Sequence, residues 1–147
     1  MKKLFPIFLL LVLGFSACTQ GEGSKYAGKY AGTFTFIKDS HTKDGKVLIT
    51  NNPLSPNGVL LYACLPLDYV STGVYKASSN NVEYMKTILE SIIGGNNYID
   101  TATETVKNIS VDATFSGDYM EMTVYYTVEI LSTLQTRVEI ITFTGTK

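Results

Sequence analysis

Alternation with a period of two marks the segment from Tyr26 and the last third of the chain. In the segment from Lys25 to Lys38, Tyr26, Gly28, Tyr30, Gly32, Phe34 and Phe36 share one phase, and Ala27, Lys29, Ala31, Thr33, Thr35 and Ile37 the other. Aromatics confined to one phase predict a half-buried strand. Gly28 and Gly32 inside it predict a bend or a close backbone crossing. Lys43-Asp44-Gly45-Lys46 predicts a hairpin turn, because Asp-Gly suits the positive φ angles of a type I′ turn, with Val47 to Thr50 as the return strand. Asn51 to Gly58 is turn chemistry throughout. Val59 to Leu65 is a continuous apolar run of strand length, interrupted by Pro66. Leu67 to Ala77 then predicts an irregular edge with a short strand at Val74-Tyr75.

The period changes in mid-chain. Val82, Met85, Ile88, Leu89, Ile92 and Ile93 make one apolar stripe on a helix, with Glu83, Lys86 and Glu90 facing away. Asn80 can cap its start with Glu83 as capping-box partner, and Gly94-Gly95 ends it. Alternation then returns. Ile109, Val111, Ala113 and Phe115 oppose Asn108, Ser110, Asp112 and Thr114, and Ser116-Gly117-Asp118 is a tight turn. Met120, Met122, Val124, Tyr126, Val128 and Ile130 oppose Tyr119, Glu121, Thr123, Tyr125, Thr127 and Glu129. After a weaker turn at Ser132-Thr133, Gln135 to Thr144 closes the domain, with Val138 and Ile140 opposing Arg137 and Glu139. The expected fold is mainly β, a β-barrel-like or strongly curved antiparallel sheet with one mid-chain amphipathic helix. The length of the strand that begins at Tyr119 favours curvature over a flat sandwich.

The first residues follow another logic. Lys2 and Lys3 precede an apolar run from Leu4 to Phe15, broken only by Pro6 and Gly14, and small residues Ser16 and Ala17 lead to Cys18. These are the marks of a secretory signal, and the run is too short to span a bilayer as a mature helix. The expected organisation is a signal at 1–17, a tether at 18–25 and one β-rich domain at 26–147. Thr19 to Lys25 carries too little apolar content to order itself.

Composition narrows the partners. Two of the twelve basic residues, Lys2 and Lys3, lie in the signal, so ten basic residues face thirteen acidic ones from Cys18 onward, a formal net charge of −3. A weakly acidic domain with one arginine offers nucleic acid no electrostatic footprint. It has no polybasic patch for anionic lipid either, so membrane attachment would come through Cys18. Cys64 is then left without a disulfide partner, and its neighbours Leu60, Leu61, Tyr62 and Leu65 predict burial.

Chemistry-bearing constellations are sparse. His41 is the only histidine and lies in a polar segment; a general base or ligand role is weighed against a solvated loop residue, which is favoured. A Cys64–His41 pair lacks a local signature, and an apolar strand would raise the thiol pKa. Glu121 and Glu129 share a strand face but stand about 26 Å apart along it, so they read as surface ion-pair partners for Arg137 or lysines. Asp39, Asp44 and Asn51-Asn52 could supply loop oxygens to calcium, without the spacing of an EF-hand. No enzyme, metal or cofactor is expected. Ten tyrosines and no tryptophan are the compositional oddity. Tyr119, Thr123, Tyr125 and Thr127 form a candidate recognition face on the outer side of one strand, weighed against plain strand propensity.

Phe15-Ser16-Ala17-Cys18 resembles the lipobox of bacterial lipoproteins, which implies diacylation of Cys18 and cleavage before it. Thr19, in place of the aspartate that retains some lipoproteins in the inner membrane, implies the outer membrane. Together with Tyr30 to Phe36, Tyr119 to Leu131 and Thr136 to Thr146, the chain resembles small Bacteroidetes lipoproteins with a calycin-like or lipocalin-like β domain. The resemblance implies a lipid-anchored envelope protein. Two readings follow: a non-enzymatic binding or structural module that meets an envelope protein or glycan, or a carrier of a small apolar ligand. An interior filled by Phe34, Phe36, Met120, Met122 and Tyr126 would favour the first; an open lumen would favour the second.

Overall fold

A computed structural model describes residues 21–94, 99–100 and 102–147. The signal and Cys18 lie outside the described residues. Eight antiparallel strands run in sequence order and close into a ring: β1 (Gly28–Phe36), β2 (His41–Asn51), β3 (Val59–Leu61), β4 (Leu65–Ser71), β5 (Val74–Ser79), β6 (Glu104–Ser116), β7 (Tyr119–Ile130) and β8 (Gln135–Thr146). The seam is β1 against β8, with Phe34 opposite Phe143. A short helix, α1 (Glu22–Tyr26), precedes β1, and α2 (Val82–Ile93) lies in the connection from β5 to β6. The mainly β fold with a mid-chain helix is therefore the one the alternation predicts.

The interior is filled. Tyr30, Phe34, Phe36, Met120, Met122, Val124, Tyr126, Ile141 and Phe143 are all buried in one core. Closure is achieved at a row of three glycines, since Gly45 pairs with Gly32 and Gly32 with Gly145, across β2, β1 and β8. A Cβ at Gly32 would lie 2.0 Å from the Thr144 carbonyl oxygen, so the close crossing expected there exists. Rings cover the bare backbone on either side. A Cβ at Gly45 would meet the Phe34 ring at 2.6 Å, and one at Gly145 the Phe143 ring at 2.5 Å. Missing side chains let the sheet coil tightly, and aromatics on the next rung refill the space.

This use of Gly45 overturns the expected Asp-Gly turn. Asp44 and Gly45 sit inside β2, opposite Thr33 and Gly32. The chain reverses earlier, between Phe36 and His41, with Ser40 at φ 54°. Val59 to Leu65 is likewise not one strand. Tyr62 and Ala63, at φ 50° and 57°, turn the chain, and Cys64 N donates to Leu61 O at 3.1 Å. Two consecutive positive φ values are the type I′ pattern. Cys64 ends half-buried rather than buried, as the last residue of that turn. Pro66 lies exposed in β4 opposite Leu60; the stretch from Leu67 to Ala77 is irregular between Tyr69 and Ser71 and holds the short strand at Val74-Tyr75 as expected, but it is the paired hairpin β4–β5, not an edge. A closed ring has no edge to leave.

Ala63 in the left-handed region carries about 1–2 kcal/mol of strain. Glycine there would relieve it and lose about 0.4–1 kcal/mol through a freer unfolded chain. Ala63→Gly is therefore expected to stabilise the fold by about 0.5–1 kcal/mol, read as a higher Tm; a lower Tm would contradict the assigned turn.

Order also begins earlier than expected. Glu22 to Lys25, placed in the tether by composition, belong to α1, with Tyr26 and Gly23 buried. The helix is held by tertiary contact: Tyr26 stacks on Phe115 at 4.8 Å and meets Tyr75 edge-on at 5.8 Å. In α2, the N-cap is Asn81, one residue beyond the expected Asn80; its side chain accepts from the Glu83 and Tyr84 amides. Met85, Ile88, Leu89, Ile92 and Ile93 are buried as the stripe predicts, while Val82 is exposed. Gly94, at φ 70°, caps the other end, and Lys43 Nζ donates to the Ile93 carbonyl at 3.1 Å.

Candidate functional site

The two ends of the ring differ. One carries α1, the 52–58 loop and the β4–β5 and β6–β7 hairpins; the other carries α2 and the β1–β2, β3–β4 and β7–β8 turns. At the α2 end a cavity of about 680 Å³ opens between α2, β6 and the end of β7. Met85, Leu89 and Ile93 from the helix, with Ile99, Val106 and Leu131, give it apolar walls. Lys86, Glu90, Lys107 and Glu129 bring charge to its rim. Lys107 and Glu129 pair at 2.8 Å.

The cavity exists because β6 changes phase. Val106 pairs with Val128 and Asn108 with Thr127, so Lys107 is the extra residue of a bulge. Ile109 and Val106 can then both contribute to the interior side although they differ in parity. Upstream of the bulge, Glu104 pairs with Ile130 and lines the cavity.

Beneath it lies an ionic cluster on the inner side of the sheet. Arg137 grips Glu104 with two bonds, Nη1 to Oε1 at 2.7 Å and Nη2 to Oε2 at 3.0 Å. Its Nε donates to Glu139 Oε1 at 2.6 Å. Lys38 Nζ reaches the same oxygen at 3.4 Å. Glu139 is only 6% exposed. Two cations and two carboxylates balance, so the cluster is neutral as a whole. The Arg137 hydrogen bonds hold the Glu104 carboxyl below its ordinary range, and they raise the arginine in turn.

The inward placement of Arg137 and Glu139 corrects the expected phase of the last strand. Val138 is 60% exposed, and Ile140 is half-buried. The register explains this: Val128 faces Arg137, Tyr126 faces Glu139 and Val124 faces Ile141. Residues opposite one another share a face, and β7 already commits Val124, Tyr126 and Val128 to the interior. Arg137 therefore pairs inside with Glu104 and Glu139, not with Glu121 or Glu129 across an outer hairpin face.

Tyr119, Thr123, Tyr125 and Thr127 do lie on the outer phase of β7. Tyr119 is 39% exposed and donates to Glu121 Oε1 at 3.0 Å. The other three are half-buried between β6 and β8, with Tyr125 between Ser110 and Ile140. Tyr119 opens β7 at the α1 end and Tyr125 lies at mid-strand, six positions or about 20 Å along, so the two tyrosines do not form one pocket.

The remaining candidates are dispersed. His41 is exposed at the start of β2. Cys64 Sγ lies 3.6 Å from Leu61 O, and burial pushes the thiol pKa up, away from a nucleophilic thiolate. Asp39 sits in the β1–β2 turn, Asp44 accepts from Thr33 Oγ1 in mid-strand, and Asn52 lies beyond the far end of β2. They cannot converge on one ion. Among the described residues, no group of three or more metal-ligating side chains is gathered. Also among them, no helix is long and apolar enough to cross a membrane.

No family model matches the chain, and no curated protein or solved structure matches it.

Proposed function

We propose that this chain is a non-enzymatic binding module of a bacterial envelope, anchored through lipid on Cys18, that takes its partner in the cavity beside α2. The observation that carries the reading is that cavity. Its volume of about 680 Å³ falls within the usual range for ligand sites, roughly 300–1,000 Å³. Apolar walls with a charged rim suit an amphiphilic partner, and the neutralised cluster beneath presents no spare acid, base or nucleophile. The lipobox-like tetrad ending at Cys18 supports the anchor, and the lipoprotein resemblance supports the outer membrane. The barrel points its apolar side chains inward and Lys76, Asp112, Glu121 and Thr123 outward, the reverse of a membrane-embedded barrel. That favours a water-facing domain held by lipid alone.

A second reading, a carrier of a small apolar ligand, draws on the same cavity. The filled interior speaks against a ligand in the lumen, so such a ligand would lie at the rim under α2. Val82 and Leu131 line the cavity, yet are 67% and 48% exposed. The double variant Val82→Arg, Leu131→Arg is therefore expected to fold with an unchanged Tm. It should bind a fatty-acid-type fluorescent probe at least tenfold more weakly than the parent chain. Equal binding by both would remove the cavity from the function.

A further inference from the structure

Resting on acylation of Cys18, we infer that the α1 end of the ring docks on the bilayer surface, with Leu54 entering the boundary between headgroups and acyl chains. Only Thr19 and Gln20 separate Cys18 from Gly21, the N-cap of α1. Three Cα steps of 3.8 Å reach at most about 11 Å. An acylated Cys18 sits at the edge of the hydrocarbon, and each headgroup layer is about 5–8 Å thick. Gly21 is thus held within or just above the headgroups.

Gly21 cannot separate from the loop beside it. A Cβ at Gly21 would lie 1.9 Å from the Pro56 carbonyl oxygen, and one at Gly23 would lie 2.3 Å from that of Gly58. The Glu22 amide donates to Asn57 Oδ1 at 3.1 Å. The 52–58 loop therefore follows α1 down to the surface. Its Leu54 is 93% exposed, the most exposed large apolar residue among the described residues. It is fixed in that position by its own amide, which donates to Asn52 Oδ1 at 3.0 Å, with Pro53 and Pro56 stiffening the backbone. Val70 and Tyr119, at the two hairpins of the same end, are 55% and 39% exposed. Tyrosine favours the membrane interface.

The occupant is a bilayer of any headgroup charge. Two of the cations at this end are matched by acids, Lys25 with Glu22 at 3.0 Å and Lys147 at 3.9 Å from Asp118, and the exposed Lys29 by itself makes no basic patch. Nothing here selects anionic lipid. The chain would stand upright on its lipid, which turns the α2 cavity away from the membrane towards a partner.

The chain has no tryptophan, so one introduced tryptophan reports alone. The full-length acylated protein is reconstituted in phosphatidylcholine vesicles containing acyl-brominated phosphatidylcholine. Leu54→Trp is compared with Leu134→Trp, which lies in the β7–β8 turn at the other end and is 71% exposed in the parent. Emission from the first is expected to shift to the blue and to be quenched several-fold more than from the second. If both variants float with the vesicles and are quenched equally or not at all, docking is overturned while the anchor stands. If the protein does not float, the anchor fails and this inference fails with it.

Discussion

Arg137→Ala lowers the stability at pH 7 by about 3 kcal/mol, the lower end of the cost of breaking a buried ion pair. The lower end applies because the arginine side chain keeps 29% exposure. Its removal deletes both bonds to Glu104 and the 2.6 Å bond to Glu139. Glu139, almost wholly buried, then keeps only Lys38 at 3.4 Å, itself half exposed to water. Two carboxylates face the interior with one cation between them. Arg137→Lys restores only part of the loss, because a point charge cannot fork to two carboxylates.

The same cluster sets an acid limit. Glu104 titrates below its ordinary value of 4.5 in the folded chain. A depressed folded pKa contributes stability that is present above the unfolded value and lost as pH falls through the folded one. The parent therefore loses this contribution below about pH 4.5, and Arg137→Ala has none to lose. The gap between them narrows on acidification. Urea unfolding at pH 7 and at pH 3.5 reads this directly; a gap that stays constant, or one under about 1 kcal/mol at pH 7, is incompatible with the cluster as the cause.

How much of this was legible in the chain depends on how one residue spacing maps to one face. In β7 the map is clean, since every other residue from Met120 to Val128 is buried and the alternation shows it. In β8 the adjacent pair Ile140-Ile141 satisfies either phase, so apolar pattern alone cannot decide which side Glu139 takes; only the register against β7 does. In β6 the bulge at Lys107 resets the parity, so Glu104 and Val106 carry no alternation that continues into Ile109. The cavity is built from the irregular start of β6, the end of β7 and the helix that precedes β6. Its walls are consequently invisible to local pattern, although the helix itself was readable from its stripe and its glycine stop.

Turn chemistry held at Ser116-Gly117-Asp118 and failed at Asp44-Gly45 for a different reason. Asp44-Gly45 has the composition of a type I′ turn, and Tyr62-Ala63 does not, yet the second pair adopts it and the first lies in a strand. Gly45 is required by a tertiary neighbour, the Phe34 ring, while the short β3–β4 hairpin forces positive φ on whatever residues occupy it. Local preference of about 1–2 kcal/mol per residue is overruled by closure of the whole ring.

That closure supplies the largest expected effect. Gly32→Ala should destabilise the fold by more than about 4 kcal/mol, the range reserved for severe steric or burial faults. Its Cβ would lie 2.0 Å from the Thr144 carbonyl oxygen and 2.5 Å from the Gly145 Cα. Both obstacles are backbone of the partner strand, so relief requires β1 and β8 to part at the seam. Gly45→Ala is the informative contrast, because its new methyl meets only ring carbons of Phe34. Trimming that ring with Phe34→Leu should recover part of the Gly45→Ala loss and none of the Gly32→Ala loss. Denaturant unfolding gives the magnitudes, and amide exchange localises the damage: Gly32→Ala should expose Ala31 to Phe36 and Ile141 to Thr146 ahead of the β6–β7 amides. A Gly32→Ala chain that folds within about 1 kcal/mol of the parent would mean that the seam is not closed as described.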